Sequence, residues 1–238
     1  MANIPAYFNA DFAEDNVMSI FVKARPRAVC LLIVLMVLIA LVMIKVELPL
    51  LLHYNLAWEN KIEPYRYLLH AHAFFAFVAL VAAPLQFFTD LRLRFPVLHR
   101  RLGRSYVLSI MVSAPIAIYI AATHMPSDER FAVAAQGVLW LCCTLLALYF
   151  AIEKQIYRHK IWMARSYGLT LTFVISRLLV DVLHVPVNHI AGGNALLVWA
   201  MTLMVILAAD LMTRRIGEPL PVVKKKPLPM PFQLRHGS

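Results

Sequence analysis

The chain has 238 residues, of which 61% are hydrophobic and only 15% are charged, and its mean hydropathy is +0.70. Soluble domains are on average about 45–50% apolar and about 25% charged, so this composition excludes a disordered chain and argues against an ordinary water-soluble enzyme. The net charge of +10 would suggest a nucleic-acid partner for a soluble protein, but in a membrane protein basic cytoplasmic loops explain it. We therefore expect a protein that contacts the lipid bilayer and no nucleic acid.

Six apolar runs follow one another along the chain, at residues 28–52, 67–89, 105–123, 131–153, 161–183 and 195–212. Each approaches or exceeds the roughly 20 residues that cross about 30 Å of hydrocarbon. The pattern predicts an all-α polytopic membrane protein of six transmembrane helices, with spans two to five as a four-helix core. The transmembrane domain covers residues 28–212, between an N-terminal segment (1–27) that could lie at the interface and a tail (213–238) rich in proline and lysine.

Basic residues are concentrated in every second connection between these spans. One set of connections holds eighteen lysines and arginines, whereas the opposite set holds three, Lys61, Arg66 and Arg130. Because loops rich in basic residues stay on the cytoplasmic side of a membrane, we expect both termini to be cytoplasmic.

The starts of spans three and five resemble each other. Residues 99–106 and 159–167 both begin with His and a basic residue and end in Arg-Ser-Tyr, with one residue more in the second. The 25-residue spacing from His99 to His124 also recurs from His159 to His184. A duplicated helical hairpin would give this pattern, and so would a chance likeness of two basic loops.

Polar residues share one face of several spans, in the half of the bundle that we expect to be the outer one. On a helical wheel, His72 lies within about 40° of a stripe of small residues, Ala76, Ala79 and Ala83, which favours close helix packing. Charged residues in a membrane helix are costly and usually face a partner or cavity, and the i,i+4 spacing predicts that Arg177 pairs with Asp181. The predicted cofactor site is His72, Gln136, Arg177, Asp181, His184 and His124.

A second, basic cluster lies at the cytoplasmic ends of the same helices. It comprises His99, Arg100, Arg104, Tyr106, His159, Arg165 and Tyr167. Its charge suits phosphate headgroups or haem propionates, and ordinary anchoring by positive loops is the alternative. The three cysteines, Cys30, Cys142 and Cys143, lie in apolar runs and have no metal-ligand spacing, so we predict no metal site.

Several motifs in order resemble the domain-of-unknown-function 2306 family of bacterial multi-pass membrane proteins. The resemblance covers about residues 67–183 and departs from the family pattern at Ala83, where the family usually has glycine. It implies a bacterial cytoplasmic (inner) membrane and no established activity. The matching residues are His72, Pro84-Leu85-Gln86-Phe87, His99-Arg100, Gly103-Arg104, Tyr106, His159-Lys160, Trp162-Met163, Arg165-Ser166-Tyr167 and Arg177.

Three readings of the function follow from these residues. The first is a redox-type membrane protein that binds b-type haem or quinone, because neutral histidine is a good axial ligand and a nearby arginine can neutralise propionates. The second is a non-catalytic accessory or scaffold subunit of a larger membrane complex, since no complete catalytic motif is present. The third is a carrier that uses Arg177 and Asp181 for a small anion or a proton.

Overall fold

The computed structural model describes residues 26–52, 62–87, 89–187 and 192–214, and within these ranges all regular secondary structure is helical. This confirms the predicted all-α membrane fold. The N-terminal segment and the tail fall almost entirely outside the described residues. In chain order the elements are α1 (Pro26–Val42), a first π turn (Met43–Glu47), α2 (Leu48–Leu52), a 3₁₀ turn (Glu63–Tyr65), α3 (Arg66–Gln86), α4 (Thr89–Arg94), α5 (Pro96–His124), α6 (Ser127–Ile152), α7 (Ile156–Arg177), a second π turn (Leu178–Val182) and α8 (Gly193–Arg214).

Four stretches of the described chain are long and apolar enough to cross a membrane: Glu63–Gln86, Pro96–His124, Ser127–Ile152 and Gly193–Thr213. They contain α3, α5, α6 and α8. Helix α7 is comparably long, but its first turns carry Arg158, His159 and Lys160. The first apolar run is divided by the π turn at Met43–Glu47. The count of six spans therefore stays a prediction.

The helices pack mainly against their neighbours in sequence, α3 on α5, α5 on α6, α6 on α7 and α7 on α8. Helix α8 also packs on α6, so the bundle is larger than the predicted four-helix core. Gly168 explains the close contact between α7 and α8, because a Cβ atom there would lie 3.2 Å from the Val205 carbonyl oxygen. A glycine lets two helix backbones approach closely, and Val205 belongs to the main apolar core.

The bundle has two ends, which we name after residues. At the His124 end, the rings of Tyr65 and His124 lie 4.4 Å apart, and Asn194 donates a hydrogen bond to Glu129. At the Gln86 end, the Gln86 amide donates to the His99 carbonyl oxygen. The predicted hairpins, α3 with α5 and α6 with α7, are present as antiparallel pairs, and their origin by duplication stays a prediction.

Two helices begin earlier than hydropathy alone predicts. Helix α5 begins at Pro96 rather than at residue 105, and α7 begins at Ile156 rather than at residue 161. Their first turns are basic, which lowers the local hydropathy, although Pro96 at the first helical position is a favourable start. Pro84 lies in the last turn of α3, so no long stretch of helix follows that its ring could bend.

Candidate functional site

A chain of buried hydroxyl groups links α5, α6 and α7 in the middle of the bundle. The Tyr106 hydroxyl lies 2.7 Å from Ser166 Oγ and 3.2 Å from Thr170 Oγ1. Ser166 Oγ lies 2.7 Å from Thr144 Oγ1, and the Trp140 indole donates to Thr170 Oγ1 at 2.9 Å. All five side chains are buried.

Each hydroxyl and indole hydrogen atom of this buried network has a hydrogen-bond acceptor. Thr144 donates to the Trp140 carbonyl oxygen and Thr170 donates to the Ser166 carbonyl oxygen. Ser166 is then left to donate to Thr144, and Tyr106 to donate to Ser166. Since buried polar groups are costly only when unpaired, this saturated network explains helix packing without any ligand.

The structure places Tyr106 and Tyr167 in the interior, and not with the basic cluster to which the sequence assigned them. Tyr106 is 0% exposed and Tyr167 is 7% exposed. The reason is the early start of α5 and α7, which carries both rings several turns into the bundle. Tyr167 packs its ring against Phe87 at 5.7 Å, and its buried hydroxyl has no hydrogen-bond partner within the described residues.

His72 forms a reciprocal contact with Ser113 that joins α3 to α5. The imidazole Nδ1 lies 3.0 Å from the Ser113 carbonyl oxygen and 2.9 Å from Ser113 Oγ. The Ser113 hydroxyl donates to the His72 carbonyl oxygen at 3.2 Å. Ser113 is completely buried and His72 is half-buried.

This contact fixes the tautomer of His72. A carbonyl oxygen only accepts, and the Ser113 hydrogen is committed to the His72 carbonyl, so Nδ1 carries the imidazole proton. In the neutral ring, Nε2 then keeps a free lone pair. Every hydrogen bond of the His72 side chain within the described residues goes to Ser113, which leaves Nε2 as a group that can accept a hydrogen bond or bind a ligand.

The other two histidines of the predicted cofactor site are unlike His72. His124 is the last residue of α5, where its ring contacts Tyr65 and forms a hydrogen bond with the Thr123 hydroxyl. His184 lies just beyond the second π turn, is exposed, and has a left-handed backbone with φ 54°. An exposed residue beyond the helix is poorly placed to be the second axial ligand of a buried haem. Gln136 is half-buried on α6.

Arg177 and Asp181 do pair, as their spacing predicted, with Nη1 3.2 Å from Oδ2. The third member of the group, Glu47 of the first π turn, was not among the predicted site residues, and its Oε1 lies 3.3 Å from Arg177 Nε. The sequence does show Glu47 as a lone acidic residue inside an apolar run. Its partner Arg177 lies on a helix distant in sequence, so no helical periodicity could identify the pair.

The basic cluster at the Gln86 end is smaller than predicted. Arg100 and Arg104 are exposed, and His99 and His159 are half-buried. His159 Nδ1 lies 2.9 Å from the Ala147 carbonyl oxygen, which joins α6 to α7. His99 Nδ1 is buried without a hydrogen-bond partner in the described part of the chain.

Arg165 does not belong to this cluster, because it binds Asp210, a residue that was not among the predicted site residues. Its Nε and Nη2 atoms lie 2.7 Å and 3.0 Å from the two carboxylate oxygens of Asp210 on α8. Its guanidinium also lies 4.5 Å from the centre of the Trp162 ring. Arg165 therefore attaches α8 to α7, and its charge is already neutralised.

No group of three or more His, Cys, Asp or Glu side chains among residues 26–52, 62–87, 89–187 and 192–214 could hold a metal ion. The candidate site comprises the Nε2 atom of His72 and the charged group formed by Arg177, Asp181 and Glu47.

A family model described as a predicted membrane protein (DUF2306) matches residues 69–213. The chain belongs to the DUF2306 family. The match confirms the resemblance, and it extends past residue 183 through almost all of α8, so the expectation that the sixth span lies outside the family core is wrong. This agrees with the packing of α8 against α6 and α7. Neither the curated proteins nor the solved structures include a match to the chain.

Proposed function

We propose that this DUF2306 protein is a redox-type membrane protein that binds a quinone in its reduced, hydroquinone form (quinol) through His72. The observation that carries the proposal is the contact of His72 with Ser113, which holds the proton on Nδ1. Such a hydrogen bond to a carbonyl oxygen fixes the orientation of a histidine and makes the opposite nitrogen a better base. A hydroquinone has a hydroxyl group that can donate to this nitrogen.

The position of His72 suits a ligand that enters from the membrane. His72 lies six residues into α3, which begins at Arg66, and this is about 9 Å along a helix that rises about 1.5 Å per residue. An isoprenoid quinol is apolar apart from its two hydroxyl groups, so one hydrogen bond donated to Nε2 at this depth is enough to orient its ring.

The positions of the other histidines favour quinone over haem b as the ligand of His72. A six-coordinate haem needs a second strong ligand, whereas His184 is exposed and His124 is engaged by Tyr65 and Thr123 at the bundle end. The basic pair Arg100 and Arg104 is also at the Gln86 end, far from His72 along the helices. The accessory-subunit reading needs neither ligand and is the outcome if both are absent.

We further propose that the protein lies in the bacterial inner membrane with both termini in the cytoplasm. Eighteen basic residues in one set of connections against three in the other support this orientation. In this orientation the Gln86 end is cytoplasmic and His72 lies in the outer half of the bundle.

The test is a quinone assay on protein purified in detergent. Lipids extracted from the wild type, His72→Ala and His70→Ala are analysed for total quinone and quinol, and a short-chain quinol kept reduced by excess reductant is then added to each protein. His70 is the matched control because it is half-buried on the same helix, and its Nδ1 bonds only its own helix, at the Arg66 carbonyl oxygen. We expect quinone with the wild type and His70→Ala, and its loss in His72→Ala.

Two results would overturn the proposal. Equal quinone binding by all three proteins would place the ligand elsewhere, and no binding by the wild type would leave the accessory-subunit reading. A reduced-minus-oxidised spectrum of the same samples checks haem, because a Soret band that disappears in His72→Ala would replace quinone by haem at this residue. His72→Phe, which keeps a ring at this position but has no ring nitrogen, repeats the test if His72→Ala does not fold.

A further inference from the structure

The two π turns of the described chain lie against each other and bring three charged residues together. The first contains Glu47 and the second contains Asp181, and the two turns are in contact. Arg177, the last residue of α7, lies between the two carboxylates, 3.3 Å from Glu47 and 3.2 Å from Asp181. Single π turns inserted in longer helices are frequent at functional sites.

The charges of this group do not balance. With all three side chains ionised, two carboxylates face one guanidinium and the group carries one uncompensated negative charge. Among the described residues, Arg177 and Asp181 are the charged groups that face Glu47. Lys45 lies on the same π turn but is exposed, and the residue of α3 near this turn is the apolar Phe77. An uncompensated charge among membrane helices is costly, so the group should take up a cation.

The burial of the two carboxylates shows which one should bind it. The Glu47 side chain is 7% exposed and that of Asp181 is 33% exposed. Arg177 donates a hydrogen bond to Asp181, whereas the buried Oε1 atom of Glu47 has no hydrogen-bond partner in the described residues. Asp181 can therefore remain ionised with Arg177 as its hydrogen-bonded partner, while a charged Glu47 would be both desolvated and poorly paired.

We propose that Glu47 is a proton-binding site, which gains and loses one proton while Arg177 remains paired with Asp181. In the loaded state a proton is bonded to a Glu47 carboxylate oxygen and the group of three is neutral. In the empty state the proton has left to water, and Arg177 is shared by two carboxylates. No electrons move, and Asp181, the more exposed of the two carboxylates, stays ionised and paired with Arg177 in both states.

The same geometry argues against the anion carrier considered from the sequence. An anion at Arg177 would have to displace Glu47 or Asp181 from the guanidinium, and it would add negative charge to a group that already has an excess. The proton-binding site is independent of His72, so the quinone assay and the test of this site can fail separately.

The test is infrared difference spectroscopy of the purified protein over a pH series. A protonated carboxylic acid has a carbonyl stretching band that an ionised carboxylate lacks. We expect such a band in the wild type, with a downshift in D2O and loss at high pH. It should disappear in Glu47→Gln, which resembles the protonated form and should fold normally, and remain in Asp181→Asn, the matched control.

Two further measurements test whether the band belongs to Glu47 and whether the bound cation is a proton. Wild type grown with glutamate labelled with ¹³C at the side-chain carboxyl should shift the band, and aspartate labelled in the same way should not, which tests the assignment without any substitution. Replacing sodium by choline at constant pH should leave the band unchanged. A band that persists in Glu47→Gln, shifts with labelled aspartate, is lost when sodium is added, or is absent at all pH values overturns the proposal.

Discussion

Arg165 on α7 holds both carboxylate oxygens of Asp210 on α8, at 2.7 Å and 3.0 Å. This two-point contact is the best-formed ion pair among the described residues, and it lies in the part of the chain that the family match extends to include. It explains how a sixth apolar helix becomes a fixed part of the bundle.

Asp210→Asn should therefore loosen α8. Hydrogen bonds to charged groups are worth about 1.5–3 kcal/mol each, and because both side chains are about a quarter to a third exposed, we expect a loss of about 1–2 kcal/mol in total. Thermal unfolding in detergent measures it, with the exposed Glu153→Gln as control. Adding Arg165→Gln should restore part of the loss, and two additive losses would show that the residues do not interact.

Gly168 and Gly103 make a matched pair of glycine positions. A Cβ atom at Gly103 would meet Gln86 at an ordinary 3.6 Å, whereas one at Gly168 would lie 3.2 Å from the Val205 backbone. Gly103→Ala should thus gain up to about 1 kcal/mol of helix propensity, whereas Gly168→Ala should lose stability, because overpacking costs about 1–3 kcal/mol and outweighs that gain. Thermal unfolding decides, and equal effects at both positions would mean that α8 does not approach α7 as closely as described.

Tyr106→Phe tests whether the central hydroxyl chain is structural. Its acceptors, Ser166 and Thr170, keep their other hydrogen bonds, so the free energy of unfolding should fall by about 1 kcal/mol, the net value of one hydrogen bond. Quinone binding should remain at the wild-type level. If Tyr106→Phe abolishes quinone binding while the protein still unfolds cooperatively, the buried hydroxyl network belongs to the ligand site and does not serve only to hold the helices together.

Composition and apolar run length predicted the membrane class, the helical fold and most helix positions, because the hydrocarbon core imposes one length and one polarity on every span. The face of α3 was also predictable: Ala79 and Ala83, on the stripe with His72, are both completely buried. The pairing of Arg177 with Asp181 followed from local helix geometry alone.

The contacts that were missed all join residues distant in sequence. Glu47 and Arg177 are separated by most of the bundle, and Arg165 meets Asp210 only because α8 packs on α7. The interior position of Tyr106 was missed for a different reason. The basic first turns of α5 lowered its hydropathy, so the helix appeared to begin near the tyrosine when it begins at Pro96.

The central claim is that Ser113 holds the His72 proton on Nδ1 and leaves Nε2 free to accept a hydrogen bond from a quinol. Solid-state NMR of protein labelled with ¹⁵N-histidine reports the protonation of each ring nitrogen, and the difference from His72→Gln isolates the two His72 signals among nine histidines. The account predicts a protonated Nδ1, an unprotonated Nε2, and a shift of the Nε2 signal alone when quinol is added. A proton on Nε2, or an Nε2 signal that quinol leaves unchanged, would contradict it.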